Sequence, residues 1–122
     1  MQQDKGYKQL VVWQKAFELA ILIHRLTKTF SSDERYGYIS QMRRSALSIP
    51  SNIAEGKGKM SDRELKRYCL IANGSAMELE TQLLLAKAIG LSTPEQFRES
   101  ELKIQEVLRL LNRLIQKLNA NG

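Results

Sequence analysis

Residues 9–30 read Gln9-Leu-Val-Val-Trp-Gln-Lys-Ala-Phe-Glu-Leu-Ala-Ile-Leu-Ile-His-Arg-Leu-Thr-Lys-Thr-Phe30, and the spacing of their apolar side chains decides the fold class. Leu10, Trp13, Phe17 and Ala20 recur at helical intervals, and Val12, Ala16, Leu19, Ile23, Leu26 and Phe30 form a second stripe beside them. The apolar face is therefore wide. A helix that leans on the core of a monomer needs one stripe. The second is explained either by a deeply embedded central helix or by another chain that covers part of the face.

The pattern continues outward from this helix. Phe30-Ser-Ser-Asp-Glu34 interrupts it, with Ser32 or Asp33 able to cap the next helix. Ile39, Met42, Ala46, Ile49 and Ile53 then recur at i, i+3, i+7, i+10 and i+14, with Pro50 inside the run, so a bend is expected around Ala46 to Ser51, with a true break there as the alternative. Gly56-Lys-Gly-Lys59 closes this helix with a glycine in the left-handed cap conformation, and Ser61-Asp-Arg-Glu64 reads as a capping box. Leu65, Tyr68, Cys69, Ala72, Ala76, Leu79, Leu83 and Ala86 share one face of a third helix. It runs through Asn73-Gly74-Ser75, whose small residues suit a close helix approach, and ends at Gly90. Pro94 suits a first helical turn, and Ile104, Val107, Leu108, Leu111, Leu114, Ile115 and Leu118 give the last helix a heptad-like seam. The expectation is one all-α domain, an antiparallel up-down-up-down four-helix bundle with helices over about 9–30, 34–56, 62–89 and 94–119.

Composition agrees and excludes several classes. The chain has 122 residues, 43% hydrophobic and 26% charged, which fits a single globular domain. Its single cysteine, Cys69, excludes an intramolecular disulfide, and its single histidine, His24, excludes a Cys/His zinc cage within one chain. Cys69 falls on the core stripe as a small hydrophobe, and His24 lies beside the apolar stripe of the first helix. The residues after Met1 carry charges with no apolar run behind them, so no secretory signal is expected and the cytoplasm is the expected location. The Ala16–Leu26 stretch is broken by Glu18, His24 and Arg25 and falls short of the roughly 20 apolar residues of a bilayer span. No phosphate-cradling glycine loop, metal-ligand set or nucleophile with a base is present; Gly56-Lys-Gly-Lys59 lacks P-loop spacing. Glu78 and Glu80, two apart, cannot pair as catalytic carboxylates within a subunit. Neither an enzyme nor a cofactor is expected.

Two polar rows stand out. Gln41, Ser45, Ser48, Asn52 and Glu55 line one face of the second helix, and Ser75, Glu78 and Gln82 line one face of the third. Solvated faces favour Lys and Glu, whereas Ser, Asn and Gln are weak or middling helix formers used where something is hydrogen-bonded. The rows are either solvent faces or a partly buried polar seam, inside the bundle or between subunits, with Arg44 as a partner for Glu55 or Glu78.

The run Gln41-Met-Arg-Arg-Ser-Ala-Leu-Ser-Ile-Pro-Ser-Asn-Ile-Ala-Glu-Gly56 resembles the signature of the four-helix-bundle proteins encoded within intervening sequences of bacterial 23S ribosomal RNA genes. Leu10, Trp13, Ala16, Glu34, Tyr36, Ala72, Gly74, Ser75, Glu78 and Glu80 match the family's pattern around it; Ser31 departs from it, standing where a proline often follows the phenylalanine. The resemblance implies a ring-like homopentamer. It also implies a relative that is the accessory protein to a reverse transcriptase in diversity-generating retroelements and uses a basic surface on nucleic acid. It supplies no catalytic residue.

The formal charge of +6 favours acidic partners such as RNA or DNA. Lys57, Lys59, Arg63, Lys66 and Arg67 cluster around the second loop, five basic residues against Asp62 and Glu64, a local +3. Arg109, Arg113 and Lys117 follow at i, i+4, i+8 on the last helix. Either group could track phosphates, and either could serve only solubility or the helix dipole. Trp13, Tyr36, Tyr38 and Tyr68 are better placed for packing than for stacking on bases, and no base-reading motif is present. The leading expectation is a homo-oligomer with non-specific affinity for RNA or DNA. The alternative is a scaffold that docks a reverse transcriptase or other protein without nucleic acid.

Overall fold

In the computed structural model, which describes residues 6–121, four long helices follow one another: α1 (Val11–Thr27), α2 (Ser40–Gly58), α3 (Asp62–Ala88) and α4 (Pro94–Asn121). Short 3-10 turns at Tyr7–Gln9 and Ser32–Glu34 and a π-turn at Arg35–Ile39 complete the chain, and no strand occurs among the described residues. Each helix packs on the next and α4 closes against α1, so α1 and α3 occupy diagonal corners. Side-chain links fix the directions. Ser48 meets Ser75 while Glu55 meets Tyr68; Glu80 meets Gln105 while Lys87 meets Glu101; Lys15 meets Glu106 while Glu18 meets Lys103. Numbering rises on one helix as it falls on its neighbour, which makes these contacts antiparallel.

The apolar stripes converge on one core in which Leu19, Ile23, Met42, Ile49, Ile53, Leu79, Phe97, Ile104 and Leu111 are fully buried. Each such side chain contributes about 1.5–3 kcal/mol of transfer free energy, and this holds the bundle far more than its exposed ion pairs do. No helix is long and apolar enough to cross a membrane among the described residues.

Several local expectations are corrected. α1 ends at Thr27 rather than Phe30, where the Thr29 and Phe30 amides turn to the Leu26 and Thr27 carbonyls, and α2 starts at Ser40 rather than near Glu34, because Gly37 adopts φ −109°, ψ −107° and breaks the helical path. The cap before that turn is Ser31, whose Oγ accepts the Asp33 amide at 3.3 Å, rather than Ser32 or Asp33. α2 continues through the buried Pro50 to Gly58, so the proline does not end it. The left-handed residue after α2 is Met60 (φ 61°), not a glycine; Gly90 (φ 77°) does take that role after α3. Half of the capping box forms: Ser61 Oγ accepts the Glu64 amide at 3.1 Å, while the Glu64 carboxylate turns to Arg67. α3 is continuous through Asn73-Gly74-Ser75, yet Gly74 faces open space. The close approach lies at Gly56, where an added Cβ would meet Tyr68 Cβ at 2.6 Å.

Candidate nucleic-acid interface

The antiparallel directions bring the start of α1, the end of α2, the start of α3 and the end of α4 to one end of the bundle, so both basic groups gather there. Lys59, Arg63 and Arg67 are exposed around the α2–α3 turn, with Lys57 and Lys66 half-buried beside them. Arg109, Arg113 and Lys117 are exposed on α4, whose residues 107–121 include no Asp or Glu. Apart from Arg67, none of these eight cations joins an ion pair among the described residues; the bundle's pairs use Lys15, Lys87 and Lys103 instead. Arg67 is partly committed. Its guanidinium lies 3.2 Å from Glu64, which raises its pKa above the ordinary arginine value, and 4.5 Å from the centre of the Tyr68 ring. An unpaired cation keeps its whole field for an incoming phosphate, whereas a paired one first gives up a partner.

The aromatic residues at this end are already engaged. Trp13 stacks between Tyr7 and Phe17, with ring centres at 5.1 and 5.2 Å, and packs partly against the core. Tyr38 packs on the core and Tyr36 is exposed next to α2's start, at the other end of the bundle. At the basic end Tyr68 is hydrogen-bonded to Glu55 and lies under the Arg67 guanidinium, and Trp13 is packed between its neighbours, so the arrangement offers charge without a free base-stacking platform.

The polar rows of α2 and α3 divide. Ser48 and Ser75 share a hydrogen bond of 2.8 Å between the helices, and Asn52 Nδ2 donates to the Ser48 carbonyl at 2.8 Å and to its hydroxyl at 3.0 Å. Ser45 is buried and donates back to the Gln41 carbonyl, and Tyr68 donates its hydroxyl to Glu55. Ser45, Ser48, Asn52 and Ser75 make a short, partly buried seam between the helices, where small polar groups satisfy one another, while the Tyr68–Glu55 bond lies at the surface. Gln41, Arg44 and Glu78 face solvent, and Arg44 pairs with neither Glu55 nor Glu78. The Gln82 carbonyl oxygen is buried without a partner among the described residues.

A model of the 23S rRNA-intervening sequence protein family matches residues 8–113. This chain belongs to that family. A solved structure, a protein of unknown function from the S23 ribosomal protein family of Bacteroides thetaiotaomicron, is 29% identical, covers 87% of this chain and 96% of its own, and superposes with a TM-score of 0.79. No curated protein matches.

Core periodicity alone does not reveal the outward side of α3 in this family member. Leu70, Met77 and Leu84 lie at i, i+7 and i+14 and are 50%, 54% and 63% exposed, with Ile71 and Leu85 beside them. Between Arg67 and Lys87 the only charges on the helix are Glu78 and Glu80, and Glu80 is hydrogen-bonded to Gln105. A helix that carries an apolar stripe on its outward side as well as on its core side is suited to an interior, so its outward face lacks a cover. The signal was present in the sequence as a second heptad-spaced stripe beside the core stripe. Phe17 (49% exposed) and Ile21 (39%) give α1 a smaller apolar face of the same kind. The buried Cys69 thiol is pushed up to about 11 by desolvation, so it remains protonated at neutral pH and is no nucleophile.

Proposed function

We propose that this family member is a non-enzymatic, cytoplasmic subunit of a homo-oligomer whose basic end holds RNA or DNA through phosphate contacts without reading base sequence. The observation that carries the reading is the gathering, towards one end of the bundle, of two basic groups distant in sequence whose cations, apart from Arg67, have no ion-pair partner among the described residues. Oligomerisation is supported by the uncovered apolar face of α3. A ring of five copies, the number that the family resemblance implies, would present the basic end five times and turn weak contacts into useful avidity.

The test is a gel shift with a single-stranded RNA and a DNA of unrelated sequence, between about 50 and 200 mM salt. Both are expected to be retained at the lower salt and released steeply as salt rises. Lys59→Glu with Arg63→Glu should weaken both equally and flatten the logarithmic salt slope by about two contacts. Absence of retention at low salt would leave the scaffold reading, in which the assembled copies dock a reverse transcriptase or other protein.

A further inference from the structure

The outer row of α4 has a feature that phosphate binding does not explain. Positions 95, 99, 102, 106, 110, 113 and 117 share one side of the helix at steps of 4, 3, 4, 4, 3 and 4, a spacing that reads the same in either direction. The residues there are Glu95, Glu99, Leu102, Glu106, Leu110, Arg113 and Lys117: acidic in the first half, basic in the second. A two-fold axis through Glu106 therefore sets Glu95 opposite Lys117, Glu99 opposite Arg113 and Leu102 opposite Leu110. Every oppositely charged position finds its complement in a second copy running the other way.

The geometry points to an antiparallel α4–α4 contact between two copies of this chain. Three observations support it. Glu95, Glu99, Arg113 and Lys117 are all exposed, and none has an ion-pair partner among the described residues. Leu102 is 68% exposed in the middle of a charged helix and stands outside the apolar core. Beside the basic half lies a shallow cavity of about 180 Å³, floored by Val11, Leu110 and Leu114 and bordered by Arg113 and Lys117, where the row places the partner's Leu102. The cavity has no aromatic lining to stack on a base and is smaller than the roughly 300–1,000 Å³ of a small-molecule pocket, so an aliphatic side chain is the better occupant. Glu106 would meet its own copy at the axis, but each Glu106 is already neutralised by Lys103 at 3.2 Å and Lys15 at 4.0 Å. The interface is isologous, the same patch on both copies, and lies on a different helix from the exposed apolar face of α3. Its row of charges is exposed and about 33 Å long, so the association is weak, salt-sensitive and set in orientation by charge.

Charge reversal tests this without touching the core. Sedimentation velocity at low salt is compared for the native chain, for Glu95→Lys with Glu99→Lys, and for Arg113→Glu with Lys117→Glu. The native chain should contain a species of twice the mass of whatever unit α3 builds. Each reversed variant should lose that doubling, with association at least roughly tenfold weaker. A mixture of the two variants should regain it, because each half of one row then faces its opposite in the other copy. High salt should abolish the doubling and leave an α3-mediated assembly intact, so failure here is distinguishable from failure of the assembly proposed above. The acidic-half variant frees Arg113 and Lys117 and adds four units of positive charge, so its RNA retention should rise while its doubling is lost, and the two readings move in opposite directions. Equal sedimentation of all samples, or a mixture that stays undoubled, overturns the proposal. The same holds if only Arg113→Glu with Lys117→Glu has an effect, and that effect is on RNA alone, because the row would then serve phosphates only.

Discussion

Gly56 has a role that its position at the end of α2 disguised. Its missing side chain lets α2 lie against Tyr68 and Leu65; an added Cβ would come within 2.6 Å of Tyr68 Cβ and 3.3 Å of Leu65 Cα. Gly58, one half-turn on, faces open space. Gly56→Ala gains up to about 1 kcal/mol of helix propensity but incurs overpacking of about 1–3 kcal/mol, so a net loss is expected. Gly58→Ala gains the propensity alone and should stabilise. Urea melts followed by circular dichroism compare the two; a stabilised Gly56→Ala would mean that α2 and α3 slide apart at little cost. The sequence made both glycines look like cap residues because spacing along one helix says nothing about which residue a neighbouring helix approaches. For the same reason Ser48 and Asn52 were legible as polar and unusual, while the bond of Ser48 to Ser75, and that of Glu55 to Tyr68 rather than to Arg44, needed the helix crossing.

At the scale of elements, heptad arithmetic located all four helices and most of the core stripe, and failed where chain ends depend on single backbone angles. The 35–39 stretch is apolar enough to extend α2, but Gly37 leaves the helical region and starts α2 at Ser40. What ties α1 to α2 there is the buried Thr27, whose hydroxyl donates to the Ile23 carbonyl at 2.8 Å and accepts from Arg43 Nε at 2.8 Å; Arg43 also reaches the His24 carbonyl. The Arg43 charge, with smaller contributions from burial and Lys28, holds the His24 pKa below its ordinary 6.5. The unfolded chain therefore binds that proton before the folded one does. The resulting stability is present above pH 6.5 and is lost as pH falls through the lowered folded value. Arg43→Gln should move the His24 titration upward, seen in its ring proton shifts by NMR, and reduce the stability lost in that window. An unmoved titration would show that Arg43 does not set it. Glu18, lowered chiefly by its bond to Lys103, titrates below its ordinary 4.5, outside this window.

Over the whole molecule the surface is partitioned by helix: α4 is charged outward, α3 is greasy outward, and the basic end closes one side. The apolar faces of α3 and α1 differ in composition and stand at diagonal corners. A two-fold contact buries one patch against itself, whereas two unlike patches pair head to tail and close into a ring when the rotation allows. A heterologous pairing of α3 on one copy with the Phe17–Ile21 side of α1 on the next covers both faces at once. Leu70→Glu with Leu84→Glu puts two charges on positions already half in water, so the fold should survive with little change in its melting curve. The charges would be buried unpaired only on assembly, which costs several kcal/mol per contact and should leave a protomer near 14.0 kDa by light scattering. Phe17→Glu should do the same from the opposite side. Under head-to-tail pairing a mixture of the α3 and α1 variants still holds one intact interface, between the native α3 of one and the native α1 of the other, so it should form dimers that cannot grow. Under two-fold pairing through α3 alone, the α1 variant would assemble normally and the mixture would gain nothing.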